Sequence, residues 1–232
     1  MNIILGGDYY VSNNKEVPII SDEIQNLFLS VDSAIINFEG PVSTPHSIKN
    51  LKTGPNLAQN PESMPYLSKT GITAVTVANN HFYDFGDLAL KNTLNNLKNN
   101  NISCLGYKEA KKSKELIVEQ DDLKIAVLAY AEEEWCGPSD LDISIALIDD
   151  IDISRDILQL RNKVDGVVIL LHANNEYNNL PSPYLVKKCR FYIEQGACAV
   201  LYIMLMLVLA LEFGRVFPSS MGWGTFRFPC QV

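Results

Sequence analysis

The sequence predicts a single α/β domain, and three observations support this fold class. First, short apolar segments rich in β-branched residues alternate along the chain with segments of helical periodicity. Second, residues 164–173 are almost continuously apolar, as strands buried on both faces are. Third, the 232 residues contain no internal repeat or low-complexity linker, and a hydrophobic content of 47% is enough for a substantial core.

The N-terminal elements alternate between strand and helix. Residues 2–7 (NIILGG) predict a short buried strand that ends at Asp8. Residues 21–29 predict a helix, because Ser21 is a good N-cap, acidic residues fill the first turn and apolar residues recur at helical spacing. Residues 33–40 predict a second strand, which ends in Asn37 and Glu39.

The middle of the chain begins with an irregular segment. Residues 40–60 are rich in Pro, Ser, Thr and Asn, which indicates a loop. Residues 72–80 (ITAVTVANN) predict a third strand that ends in two asparagines. A helix follows, with Leu90, Leu94 and Leu97 at helical spacing.

The remaining elements complete the α/β pattern. Residues 114–130 predict a hairpin with its turn at QDD, and residues 164–173 predict the buried strand. Residues 183–197 predict a helix closed by Gly196, and residues 198–202 begin another strand.

Composition narrows the class of protein and its compartment. A net charge of −8 argues against a nucleic-acid-binding protein, which normally carries a basic face. The five cysteines show no CxxC spacing and are expected to be reduced, buried thiols. The N-terminus has neither the basic region nor the apolar region of a signal peptide. We therefore expect a cytoplasmic protein.

Polar residues follow four of the predicted strands. Taken singly, each has an ordinary structural explanation as a turn residue, a cap or a hydrogen-bonded histidine. Together they are a mixed oxygen and nitrogen donor set, which suits Mn²⁺, Fe or Zn²⁺, and sites in α/β sheets form beyond the carboxyl ends of strands. These residues are Asp8, Asn37, Glu39, Asn79, Asn80, His81 and His172.

The motifs that contain these residues resemble those of the CapA family of bacterial capsule-synthesis and poly-γ-glutamate-type proteins. The matching motifs are GGD at residues 6–8, NFEGP at 37–41, KTGP at 52–55, ANNHFYDFG at 78–86, LLHANNEY at 170–177 and GACAV at 196–200. The resemblance covers residues 1–202, which we take as the domain. It implies the fold of the calcineurin-like metallophosphoesterases, a layered α-β-β-α sandwich of two sheets flanked by helices.

The resemblance also implies roles for individual residues. Asp8, Glu39, Asn80 and His172 align as ligands of one or two divalent ions (Mn, Fe or Zn). The alignment implies His81 as the acid or phosphate-orienting group. It also implies Asp84 as the residue that holds His81.

Three functions remain open from these similarities. The first is a metal-dependent hydrolase or transferase acting on an acidic capsule polymer or a phosphoester. The second is a non-catalytic capsule-assembly component that binds such a polymer with the same fold. The third is an inactive product, because this chain departs from the family pattern. The family has His-Trp-Gly where this chain has HANNEY, and the glycine- and histidine-rich motif expected after GACAV is absent.

An apolar run occupies the position at which the family has that motif. Residues 199–211 are thirteen consecutive apolar residues, fewer than the roughly 20 that a membrane-spanning helix needs, so we expect no stable membrane span. A buried helix or strand is a second interpretation. The genetic code suggests a third: the codons of residues 202–206 (YIMLM), read one base earlier, allow His-His-Ala-His, close to the His-His-Pro-His of the family.

A second segment supports the change of frame. In the same frame, residues 217–226 permit Pro-Ile-Phe-Tyr-Gly-Leu-Gly-Asn-Phe, which is similar to a strand of the family. We therefore predict that one base is lost near the codon of Tyr202 and that residues 203–232 form an out-of-frame, aberrant tail, which leaves the domain incomplete at its C-terminal side. The alternative is a natural apolar C-terminal element.

Overall fold

The computed structural model describes residues 1–138, 141–173, 181–204 and 207–213, and two stacked sheets form its centre. The first sheet has four parallel strands in chain order. Because all four run the same way, their carboxyl ends meet at one edge of the sheet. These strands are β1 (Ile3–Tyr9), β2 (Ser33–Phe38), β3 (Ala74–Thr76) and β4 (Ser103–Leu105).

The second sheet has five strands and mixed direction. Its three central strands are parallel, and an antiparallel strand lies at each edge. In spatial order these are β12 (Leu207–Phe213), β11 (Ala199–Met204), β10 (Gly166–His172), β8 (Leu123–Ala131) and β7 (Leu116–Gln120).

Five helices and a small third sheet complete the described part of the chain. The third sheet consists of β5 (Tyr107–Glu109) between β6 (Lys112–Ser113) and β9 (Ile143–Ile145). The helices are α1 (Asp22–Leu29), α2 (Ser63–Lys69), α3 (Gly86–Asn99), α4 (Asp150–Leu160) and α5 (Pro183–Gln195).

Two apolar cores explain why the layers stay together. One core joins the two sheets with α2 and α3, and the other lies between the second sheet and the helices α4 and α5. Strand β10 contributes to both, since Val168 and Leu170 enter the first core while Val167, Ile169 and Leu171 enter the second. Each such fully buried side chain stabilises the fold by about 1.5–3 kcal/mol. The predicted α-β-β-α sandwich and the two-sided burial of this strand are confirmed.

Several predicted local signals are also confirmed. The Ser21 hydroxyl accepts a hydrogen bond from the backbone N–H of Ile24 and caps α1. Gly196 closes α5 with a φ of 119°, a left-handed conformation that favours glycine. The predicted hairpin is the antiparallel pair β7 and β8. Helices α2 and α4 and the short strands β4, β5, β6 and β9 were not predicted.

The described part of the apolar run lies in two paired strands. Strand β11 pairs with β12 in antiparallel register, and both belong to the second sheet. In the described part of the chain, no helix has both the length and the apolar character needed to cross a membrane. Most of the tail assigned to another frame, residues 205–206 and 214–232, lies outside the described residues, so that assignment stays a prediction.

Four of the five cysteines lie in the described part of the chain, all within the fold. Cys136, Cys189 and Cys198 are buried, and Cys104 is partly buried. Burial raises the pKa of the Cys136 thiol to about 12 and that of Cys198 to about 11, which makes both poor nucleophiles. The fifth, Cys230, lies outside the described residues.

Candidate metal centre

The ends of strands from both sheets meet at one place. Asp8 is in β1, Glu39 follows β2 directly, and His172 is the last residue of β10 in the second sheet. One potential ligand atom from each of these three side chains lies within 4.8 Å of those of the other two. All three residues are largely buried, so the cluster lies at the seam between the sheets rather than on the surface.

Two glycines explain how the chain reaches this geometry. The register between β1 and β2 shifts between Leu5 and Asp8, and a Cβ on Gly6 would stand 2.9 Å from Ile36 Cγ2. The bulge therefore needs glycine and changes the direction in which Asp8 points. After β2 the chain turns at Gly40, whose φ is 80° and whose added Cβ would lie 2.8 Å from the carbonyl oxygen of Leu57.

Asn37 lies between the three candidate ligands. Its side-chain amide donates hydrogen bonds to Asp8 Oδ1 at 2.7 Å and to Glu39 Oε2 at 2.6 Å. The same nitrogen is 3.4 Å from Nδ1 of His172. Asn37 is completely buried, so this amide is the donor that holds two neighbouring carboxylates together inside the protein.

Asn79 fixes the orientation of Asn37. The Asn79 amide donates to the side-chain oxygen of Asn37 and to the backbone oxygen of Phe38, both at 3.0 Å. Its own side-chain oxygen accepts from the backbone N–H of His81 at 3.2 Å. A chain of amide groups therefore connects the turn after β3 to the two carboxylates.

The predicted ligand Asn80 adjoins the cluster through His172. The side-chain oxygen of Asn80 is 3.2 Å from Nε2 of His172. Both atoms are donors that Mn²⁺, Fe and Zn²⁺ accept. Asp8, Glu39 and His172 thus form one cluster, whereas the fourth predicted ligand, Asn80, contacts the other ring nitrogen of His172 from the one that faces Asp8.

Burial and charge favour the neutral forms of Glu39 and His172. Burial, and secondly the nearby Asp8 carboxylate, raise the pKa of Glu39 well above its usual value. Burial lowers the pKa of His172, while Asp8 acts in the opposite direction and His81 adds to the lowering. A neutral imidazole is the form that binds a metal, and a divalent cation would replace the proton on Glu39.

The donor set fits a divalent cation. Asp8 Oδ2 is buried and has no hydrogen-bond partner among the described residues. A buried oxygen without a partner is unfavourable in free energy, and a cation bound at this point would remove that penalty. Two carboxylates, an amide oxygen and an imidazole match the preferences of Mn²⁺, Fe and Zn²⁺. In the described ranges, this is the one such cluster of at least three acidic, histidine or cysteine side chains.

His81 belongs to a second group beside the cluster. Its Nδ1 is 2.8 Å from Asp84 Oδ2 and 3.0 Å from Nζ of Lys52. Asp84 is fully buried, whereas the His81 side chain is 14% exposed. The Nδ1 atom of His81 is therefore fixed by buried partners, while the side chain keeps some access to solvent. Its role as acid or phosphate-orienting group stays a prediction.

Three residues that the structure places at the site had no role predicted from the sequence. Asn37 and Asn79 were recognised as polar strand-end residues but not as the amides that organise the ligands. Lys52 was recognised only as part of the KTGP motif. A usable signal existed for Asn37, because residues two apart on a strand share a face and Asn37 is two residues before Glu39.

A family of known sequences matches most of the chain. The sequence model described as "Bacterial capsule synthesis protein PGA_cap" matches residues 3–201. The match includes all of the residues that form the cluster and ends two residues before the predicted aberrant tail begins.

Two curated proteins are similar over much of the chain. "PGA biosynthesis protein CapA" of Bacillus subtilis (strain 168) is 25% identical over 201 residues, covering 81% of this chain and 50% of that protein. "Capsule biosynthesis protein CapA" of Bacillus anthracis is 27% identical over 173 residues, covering 69% of this chain and 42% of that protein. The chain thus spans half or less of the length of these relatives.

A solved structure shares the fold. It is the crystal structure described as "Putative 5'-Nucleotidase from Staphylococcus aureus in complex with alpha-ketoglutarate". The TM-score is 0.50 at 13% sequence identity, with 86% of this chain and 44% of that chain covered. At this identity the likeness concerns the fold alone.

Proposed function

Because the chain belongs to the bacterial capsule synthesis protein family, we propose that it acts in the biosynthesis of a capsule or exopolymer as a CapA-type, metal-dependent hydrolase or transferase. The substrate class is an acidic polymer or a phosphoester, and the protein has no role in nucleic-acid binding. One observation carries the catalytic part of the proposal. It is the buried cluster of Asp8, Glu39 and His172, in which one oxygen of Asp8 has no hydrogen-bond partner among the described residues.

The proposed chemistry divides the work between two groups of residues. Asp8, Glu39, Asn80 and His172 hold the cation. A Mn, Fe or Zn ion held by these residues would supply polarisation of the scissile group and would make a coordinated water more acidic. His81 lies next to the ligand Asn80, is partly exposed, and gives a proton to the leaving oxygen or donates a hydrogen bond to the transferring group. Asp84 holds the His81 ring through the contact between Asp84 Oδ2 and His81 Nδ1, at 2.8 Å.

Two features support the rival proposal of a non-catalytic component. The names of the two Bacillus relatives refer to biosynthesis and do not specify a reaction. The histidine-rich motif that the family resemblance assigns to a second ion is missing from this sequence. In this form the protein would bind an acidic polymer through the same cation without turnover. The cytoplasmic location stays a prediction for either form.

Turnover of a chromogenic phosphoester with added Mn²⁺ separates the two proposals. We would compare this chain with a form whose reading frame is restored after Tyr202, each with His81→Ala and His172→Ala. An enzyme predicts turnover in the restored form, loss of turnover but retained Mn²⁺ binding in His81→Ala, and loss of both in His172→Ala. Mn²⁺ and polymer binding without any turnover supports the non-catalytic component.

A further inference from the structure

Lys52 is a buried cation in an otherwise irregular segment. It lies in the loop predicted from residues 40–60, yet its side chain is only 2% exposed. Its ammonium group forms an ion pair with Asp84, whose side chain is completely buried. Water cannot solvate a charge at this depth, so Lys52 depends on the partners that the protein provides.

Asp84 joins the loop of Lys52 to the site. Its Oδ2 accepts a hydrogen bond from the backbone N–H of Leu57 at 2.7 Å, in addition to its contact with His81. Its backbone oxygen accepts from the N–H of Asn50 at 2.9 Å and from the side chain of Asn56 at 3.1 Å. Residues 50–57 are therefore attached to the protein through the same residue that holds His81.

The two oxygens of Asp84 have separate tasks. Oδ2 faces His81 and Leu57, whereas Oδ1 accepts no directional hydrogen bond from the described residues and is compensated by the ion pair with Lys52. Nδ1 of His81 cannot donate to Asp84 and accept from Lys52 at the same time. The shorter of its two contacts is that with Asp84, at 2.8 Å against 3.0 Å.

We infer that Lys52 is a positioning residue for His81: its ammonium group neutralises Asp84 and fixes that carboxylate so that Oδ2 accepts the Nδ1–H of His81. Lys52 acts through Asp84 and needs no contact with substrate. The inference rests on the proposed function only for the task that it gives to His81.

The charge balance of the site supports this role. Asp8 and Glu39 belong to the candidate metal cluster, and Asp84 is a third, fully buried carboxylate that contacts His81. Lys52 offsets Asp84, which leaves Asp8 and Glu39, once a cation has replaced the proton of Glu39, as the two carboxylates available to a single divalent cation. The protein thus supplies a permanent cation next to His81, in addition to the ligands for an exchangeable cation.

The test compares Lys52→Met with Lys49→Met in ¹⁵N-labelled protein by NMR. Lys49 is an exposed lysine of the same loop, 5.9 Å from the centre of the Phe85 ring, and serves as the matched control. Lys52→Met should change the ¹⁵N shifts of the His81 ring and raise the exchange rate of the Leu57 amide by about tenfold or more, because one partner of a buried pair is lost. Lys49→Met should change neither.

Two further variants keep the test decisive if Lys52→Met does not fold. Lys52→Arg keeps the charge and should keep the slow Leu57 exchange. The double variant Lys52→Met/Asp84→Asn removes both charges and should be more stable than Lys52→Met, while the His81 ring loses its charged acceptor. Unchanged His81 shifts in every Lys52 variant, or a double variant no more stable than Lys52→Met, would overturn the inference. None of these signals requires metal or substrate, so they are independent of the proposed function.

Discussion

Asp8 and His172 belong to different sheets, yet Oδ1 of Asp8 lies 4.0 Å from Nδ1 of His172. The contact spans the seam between the two halves of the sandwich, because Asp8 is in β1 of the first sheet and His172 ends β10 of the second. A cation held between them would therefore tie the two sheets together as well as serve the chemistry.

Replacing His172 should remove the stabilising effect of Mn²⁺. A ligand that binds only the folded state stabilises it by RT ln(1 + [L]/Kd), about 2.7 kcal/mol at a hundredfold excess over Kd. We expect His172→Ala to lose most of the Mn²⁺-induced rise in melting temperature, whereas His46→Ala, a change at an exposed histidine, should keep it. Equal rises in the two variants would exclude His172 as a ligand.

Glu39 should make the metal-free protein less stable as the pH rises. The pKa of Glu39 is raised from 4.5 in the folded state, so above pH 4.5 the folded chain keeps a proton that the unfolded chain has lost. The contribution of Glu39 is fully present below pH 4.5 and is lost as the pH rises through the folded-state pKa. Glu39→Gln should flatten this dependence in urea unfolding with EDTA, and Glu16→Gln, a change at an exposed position, should not.

Asn37→Asp should lower the stability of the metal-free protein and strengthen its binding of Mn²⁺. It replaces a donor with a third carboxylate next to Asp8 and Glu39, which should cost about 3 kcal/mol in the metal-free protein. The same change adds an oxygen ligand, so added Mn²⁺ should stabilise the variant more than it stabilises the unchanged chain. Asn13→Asp, at an exposed position, is the control. A destabilised variant that gains nothing from Mn²⁺ would show a structural role alone.

Restoring the reading frame should strengthen the metal site. We predict that this chain loses its metal on dialysis, because the missing motif removes nitrogen donors. Inserting one base near the Tyr202 codon should yield a protein with higher metal content and less aggregation, since an apolar tail is an aggregation liability. Resequencing the gene tests the prediction first. A gene without the expected change, together with equal metal content in both proteins, would favour a natural apolar element.

The candidate ligands could be predicted because strand ends are visible in a sequence. Asp8, Glu39 and His172 each follow an apolar, β-branched segment, and the carboxyl ends of parallel strands must share an edge. The motif resemblance then separated these residues from ordinary turn residues. The approach of Asp8 to His172 depends on how the two sheets stack. The family resemblance predicts this stacking, whereas the strand pattern alone does not.

The residues behind the ligands could not be predicted in the same way. Lys52 lies in an irregular segment, and its burial depends on how residues 50–57 fold onto Asp84. Helix α4 is different, because Ile153, Ile157 and Leu160 recur at helical spacing after an acidic first turn and so provided a usable signal. Helix α2 is seven residues long and contains Pro65, so it had too little periodicity to recognise.

The most direct test of the metal centre is anomalous diffraction from crystals soaked in Mn²⁺ and measured at the manganese absorption edge. We predict one strong peak in contact with Asp8, Glu39 and His172, which is absent from crystals of His172→Ala. A manganese peak elsewhere in the protein, or an unchanged peak in the variant, would contradict the assignment of this cluster as the metal site.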